Sequence, residues 1–283
     1  MNEILSYKVF AARIRLEAMK ALGKLGFGHV GGIMSIAELL GVLYGGVMKI
    51  SPDNPKWEDR DYFIMSKGHA GPALYTALAL KGYFPLSELM TININGTRLP
   101  SHCDRNLTPG IDFTTGSLGQ GMSTGIGIAL GNKILNKKNY TYILIGDGET
   151  DEGQIWEGAL FAPQQELENL IVFLDYNKQQ LDGYTYDIID LGDLRQKFQD
   201  FGWYSIEVDG HDVKAIKSSI ELGKTIKRKP KMIILNTIKG KDVFFAEGVK
   251  YNHHMRFKKE ESDRAIKELS EKLENLTKEM KIG

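Results

Sequence analysis

The sequence predicts an α/β fold, a three-layer αβα sandwich around a mostly parallel central sheet. Three observations carry this expectation. From about residue 140 onward, short apolar runs alternate regularly with amphipathic stretches, the pattern of successive βαβ units. The runs YTYILI (140–145) and LIVFL (170–174) are apolar without alternation, as strands buried on both faces are. Glycine is the one compositional excess, 31 of 283 residues, or about 11% against a usual share of roughly 7%. It is concentrated between Gly23 and Gly158, where tight turns and close backbone approaches to a ligand are therefore expected.

Taken in chain order, helical periodicity covers about residues 3–23, 35–48, 70–81, 119–136 and 153–168, then 190–200, 212–227 and 259–279. Strand-like runs occupy 62–65, 142–145, 171–174, 204–208 and 232–236. The first helix, beginning MNEILSYKVFAARIRLEAMKAL, is amphipathic and lacks the tripartite pattern of a signal peptide. The last, about 259–279, is highly charged, with Ile266, Leu269, Leu273 and Leu276 at helical spacing, and is expected to pack one face on the body. No repeat or low-complexity linker interrupts the chain, so residues 1–283 are read as one domain.

Apolar content of 42% and charged content of 25% are those of a globular protein. Thirty-six basic residues balance thirty-six acidic ones, so no electrostatic footprint argues for nucleic acid or a membrane surface. No apolar run is expected to reach the roughly 18 residues of a membrane span. A single cysteine, Cys103, cannot form an internal disulfide, and a reducing cytoplasm is the expected compartment.

Gly146-Asp147-Gly148 ends the first apolar run and Asn177 follows the second. If the two runs are neighbouring parallel strands, a carboxylate and an amide oxygen meet at their carboxyl ends, where open α/β sheets bind ligands. Such oxygens are hard ligands suited to Mg²⁺ or Ca²⁺, and the flanking glycines let backbone approach a diphosphate. The segment then enters a helix whose amino terminus favours an anion. Gly-Asp-Gly alone also suits a plain capping turn; Asn177 at the next strand end weighs against that. His29, His69, His102 and His253 are candidate functional histidines, three of them in short Gly- or Pro-bounded segments. His211, in VDGHD, is expected to stabilise a turn. Gly119-Gln120-Gly121 hints at a dinucleotide fingerprint, but no clear strand precedes it and its third glycine is displaced to Gly125. Glu152 and Glu157 suit the first turns of a helix.

The segment GDGETDEGQIWEGALFAPQQELENLIVFLDYNKQQLDG resembles the thiamine-diphosphate motif of transketolases. TTGSLGQG (114–121) resembles a second segment of that family, and all four histidines match its active-site positions. The resemblance implies that Asp147, Asn177 and the carbonyl of Gln179 coordinate Mg²⁺, with Ca²⁺ or Mn²⁺ able to substitute. It implies thiamine-diphosphate contacts from His69, Gly116, Leu118, Gly146, Gly148, Glu149 and Asn177. His29, His102 and His253 would act on substrate. Glu152, with Glu157, would join a glutamate network coupling active sites across a subunit interface. Two departures stand out: Ser101 and Cys103 flank His102 where the family usually shows Gly-His-Pro, and Val30 replaces a Pro often found after the first histidine.

The resemblance spans nearly the whole chain but only the diphosphate-binding domain of a transketolase. The Glu that hydrogen-bonds the cofactor's aminopyrimidine belongs to the pyrimidine-binding domain that follows. The implied protein is therefore the amino-terminal subunit of a split transketolase. It would pair with a carboxy-terminal subunit, self-associate as α2β2, act on sugar phosphates and be inactive alone. Competing expectations are a related thiamine enzyme acting on a modified sugar or making deoxyxylulose phosphate, and a silent cofactor-binding partner subunit.

Overall fold

A computed structural model describes residues 3–282. A 23-residue helix, α1 (Glu3–Leu25), leads into a short strand β1 (Phe27–Gly28), the helices α2 (Val30–Met34) and α3 (Ala37–Val42), and strand β2 (Tyr62–Met65). Then come α4 (Gly71–Lys81), α5 (Gln120–Ile134), β3 (Thr141–Gly146), α6 (Gly153–Gln164) and β4 (Leu170–Tyr176). The chain continues through α7 (Thr185–Ile188), α8 (Leu194–Asp200), β5 (Tyr204–Asp209), α9 (Val213–Thr225), β6 (Lys231–Asn236), β7 (Met255–Arg256) and α10 (Lys259–Ile282).

The central sheet is five-stranded and parallel throughout, in the order β2-β3-β4-β6-β5. Helices cover both faces, as the alternating pattern predicts, and two apolar clusters fill the layers on either side. One is built around Ile14, Tyr142 and Phe173; the other around Ile143, Val172 and Trp203. Adjacent residues of β3 and β4 point to opposite clusters, which explains why both strands are apolar without alternation. Asp193 and Asp212 cap α8 and α9, accepting from Gln196 N and Lys214 N.

Four details depart from the sequence expectations. The helix expected over 35–48 starts at Ala37 with α3 and changes character at Leu43–Val47, which forms a π turn. Glycines in this stretch let α1 pack closely against it. A Cβ on Gly41 would stand 2.9 Å from the Tyr7 carbonyl oxygen, and one on Gly45 2.7 Å from the Tyr7 ring. The same region corrects the membrane-span expectation. Val30–Val47 is 18 residues with mean hydropathy 1.6, but it folds into the core, 83% buried within the protein. The helix expected over 153–168 stops at Gln164, since Pro163 lies in its last turn and Glu166 adopts φ 49°. Finally, β1 and β7 form an antiparallel pair too short to leave a period in the sequence.

One ion network ties the layers together. Arg15 of α1 is buried and grips Glu38 of α3 through both terminal nitrogens, at 2.5 and 2.6 Å, while Asp242 stands 3.2 Å away. Lys272 of α10 reaches the same Asp242 at 2.7 Å. Glu38→Ala therefore leaves a buried guanidinium short of its main counter-charge, and should cost about 3–5 kcal/mol, read from the urea midpoint. Replacing both partners, Arg15→Met with Glu38→Leu, should recover most of the loss. An equal loss in the double variant would contradict the assignment.

Candidate active site

Strands β3, β4 and β6 end level: Gly146 pairs with Asp175, and Tyr176 with Asn236. The segments just beyond them, which hold Asp147, Asn177 and Lys239, therefore converge at the carboxyl edge of the sheet. They wall a cavity of about 250 Å³, closed on the other side by His29, His69, His102, Gly116, Leu118 and His253. The expected residues Gly146, Gly148, Glu149 and Gln179 line it as well. Glu152 does not. It stands just before α6 with its side chain exposed and making no capping bond, because the single 3-10 turn Gly148–Asp151 carries the chain away from the strand end. Glu157 is exposed on the same helix.

The four expected histidines form one cluster despite their separation in sequence. The His29 ring lies 5.4 Å from His69, 5.8 Å from His102 and 5.4 Å from His253, centre to centre, and His69 lies 4.6 Å from His253. His254 adds a fifth ring, 4.8 Å from His29. Burial pushes the His29 imidazole down to about 4, helped by the neighbouring His254 and His102. Burial and Lys239 push His253 down to about 3; burial and Lys67 hold His69 well below the usual range. At neutral pH His29, His69 and His253 are uncharged, each with one donor and one acceptor nitrogen. His211 stands apart, bonding Glu38 at 3.1 Å and accepting from the Ile238 amide at 2.9 Å, a structural position.

On the strand side, Asp147 is 2% exposed. Its carboxylate accepts from Gly148 N at 2.8 Å and Lys178 N at 2.5 Å. Burial, and then the nearby Asp175 carboxylate, raise its pKa, with Lys239 opposing. Asp175 is fully buried and differently placed: burial alone would raise it, but Lys67 and three hydrogen-bond donors hold it below the usual carboxylate range. Lys67 Nζ sits 2.5 Å from Asp175 Oδ2. The same oxygen accepts from Asn177 Nδ2 at 2.8 Å, which fixes Asn177 Oδ1 as the acceptor end of the amide; it takes the Gln179 amide at 3.1 Å and keeps a second lone pair. Lys239 Nζ lies 3.1 Å from the Gln179 carbonyl and 3.4 Å from that of Gln180.

Lys67, Lys239 and Asp175 do not stand out in the sequence. A lysine in a polar segment reads as solvated, and only burial, at 2% and 3% exposure, gives these two a role. Among the described residues no group of three or more His, Cys, Asp or Glu side chains is placed to hold a metal. The expected donor set is of another kind: one carboxylate, one amide oxygen and one backbone carbonyl. Those oxygens are hard donors of the kind Mg²⁺ takes, and the Gln179 carbonyl already carries a cation in the Lys239 ammonium.

The family described as the thiamine diphosphate binding domain of transketolase matches residues 6–275. The SqwG component of a 6-deoxy-6-sulfo-D-fructose transketolase from Clostridium sp. (strain MSTE9) is 53% identical over 256 residues, covering 90% of this chain and 93% of its own. One of the subunits of an apulose-4-phosphate transketolase from Phocaeicola vulgatus is 37% identical, covering 94% of both chains. A solved transketolase from Pichia stipitis superposes with a TM-score of 0.86 at 32% identity. It covers 95% of this chain, which spans only 40% of that one.

The depressed imidazoles make stability depend on pH. In the fold they stay neutral, whereas in the unfolded chain they take protons below about 6.5. The unfolded state then binds more protons, so their contribution is complete above about pH 6.5 and is lost as pH falls toward about 4. The Tm of the ligand-free protein should therefore drop between pH 6.5 and 4, and the variant His29→Gln/His253→Gln should show a shallower drop. Parallel slopes would contradict neutral burial of these rings.

Proposed function

The chain belongs to the transketolase family, and we propose that it is the amino-terminal, cofactor-holding subunit of a split transketolase. With a carboxy-terminal partner it moves a two-carbon ketol unit from a ketose to an aldose. The observation that carries this reading is the union, in one cavity, of the oxygen-bearing residues Asp147, Asn177 and Gln179 with a cluster of neutral histidines. Its volume of about 250 Å³ is below the roughly 300–1,000 Å³ usual for a small-molecule site, as befits half of one.

The residues fit thiamine diphosphate and Mg²⁺. Asp147, Asn177 Oδ1 and the Gln179 carbonyl would hold the metal, and Lys239 adds a positive charge beside them to receive a diphosphate. Gly148 has no side chain because Gln180 fills the space: a Cβ there would stand 2.5 Å from that of Gln180, so backbone faces the cavity. When bound, thiamine diphosphate supplies the electron sink that ketol transfer requires. The chain's own part is to fix the cofactor's anionic end and to present uncharged imidazoles. His29, His102 and His253 can donate to or accept from sugar hydroxyls and carbonyl and move protons between them. Burial of the cluster keeps those rings unprotonated, so each can act as a base.

Two further elements belong to this proposal. Ile134 at the end of α5, Leu135 just after it, and Leu160 and Phe161 on the adjoining α6 are exposed, an apolar surface suited to a partner or a second copy. As to substrate, the relatives just described are named for modified sugars carrying a sulfonate or a phosphate. The donor for this chain is proposed to be a ketose with such an anionic group, and 6-deoxy-6-sulfo-D-fructose is the first to assay.

With Mg²⁺ and thiamine diphosphate, the purified chain should be inactive alone and should transfer ketol once its carboxy-terminal partner is added. Turnover by the chain alone would overturn the split-subunit reading. Asp147→Ala should fold and yet weaken thiamine-diphosphate affinity of the complex at least tenfold, about 1.4 kcal/mol, measured by titration calorimetry. Unchanged affinity would remove the metal assignment.

A further inference from the structure

We infer that Glu149 is a positioning residue that holds the two walls of the cofactor cavity in register. Its side chain is 2% exposed, and its carboxylate gathers donors from three separate segments. Oε1 accepts from the Ser66 hydroxyl, just past β2, and from Gly119 N at 2.8 Å, where α5 begins. Oε2 accepts from Gly146 N at 3.0 Å, at the end of β3. The amide of Gly119 has no partner within its own helix, and a carboxylate placed there is favoured by the helix dipole as well.

These bonds link the parts of the site that face different ends of the ligand. Gly146 belongs to the strand-end wall with Asp147. Gly119 ends the loop 115–119, which brings Gly116 and Leu118 to the opposite wall. Thr115 anchors the start of that loop, its hydroxyl donating to Met65 O at 2.7 Å and its amide to Cys103 O at 3.0 Å. The loop rests against Gly68, where a Cβ would lie 2.9 Å from the backbone of Thr115 and Gly116, and Gly119 itself adopts φ +84°. Glu149 is the polar tie at the loop's other end, joining Gly119 to the strand-end wall at Gly146. Three of the roughly four acceptor positions of its carboxylate are taken by protein donors, so it acts through the loop rather than on the ligand.

The inference rests on the proposed thiamine-diphosphate reading of the cavity, and two ligands separate its failure from that of the reading. Inorganic pyrophosphate with Mg²⁺ needs only the strand-end wall, whereas thiamine diphosphate spans both. Glu149→Gln preserves shape but turns an NH₂ toward an N–H or O–H donor, so one tie becomes a repulsion. In the assembled complex this variant should bind thiamine diphosphate about tenfold more weakly and pyrophosphate within twofold of the parent. Ser66→Ala, which removes one donor and keeps the carboxylate, should shift the same ratio in the same direction by a smaller factor, and serves if Glu149→Gln does not fold. Equal weakening of both ligands would show a merely structural role and overturn the assignment, as would no change in either. A parent complex that binds both ligands equally would overturn the cavity reading itself.

Discussion

The site depends on one buried ion pair, Lys67 with Asp175. Both side chains are essentially sealed from solvent, and Asp175 is the point where four segments meet. Lys67 follows β2, Ser35 lies between α2 and α3 and donates at 2.8 Å, Asn177 follows β4, and Thr237 follows β6 and donates to the other oxygen. Buried ion pairs are often no more stabilising than apolar groups of the same size, so net stability is not the reason to have one here. Its consequence is geometric. A carboxylate only accepts, so Asn177 must turn its NH₂ inward and its oxygen outward. The amide of this cavity-lining residue is thereby fixed in one orientation, with its oxygen accepting from Gln179 N and one lone pair left over.

The same pair settles the charge balance around it. Two carboxylates, Asp147 and Asp175, are buried at adjacent strand ends, and one lysine is committed to the inner of them. Asp147 is left with backbone amides and the more distant Lys239, and its raised pKa expresses a buried charge lacking a full counter-ion. The divalent cation of the proposed function would relieve this, because it adds charge without needing a hydrogen-bond geometry. Across the cavity the effect is reversed. Burial and the lysines keep the histidines uncharged, so an anionic cofactor is drawn to the strand side while neutral imidazoles face the remainder of the site.

Much of this was legible in the sequence, for identifiable reasons. Gly146-Asp147-Gly148 and Asn177 each follow an unbroken apolar run, so parallel pairing of β3 and β4 was enough to bring them together. The histidines stood out by residue type in short irregular segments, although only the fold shows that they share one cluster. What was not legible depends on burial or on single close contacts. Lys67 and Lys239 look like ordinary surface lysines until strands close over them. The π turn at Leu43–Val47 lies where Tyr7 packs on three glycines, a contact made from another helix. Glu152 sits five residues past Asp147, near enough in sequence to suggest a shared site, but the intervening turn faces it outward.

The most direct test of a divalent-cation and diphosphate site is crystallographic. Crystals of the assembled complex grown with thiamine diphosphate and Mn²⁺ should show one strong anomalous peak in this cavity, bounded by Asp147, Asn177 Oδ1 and the Gln179 carbonyl. The Lys67–Asp175 pair should be unmoved beneath it. Bound cofactor with no such peak, or a peak away from these three oxygens, would contradict the account.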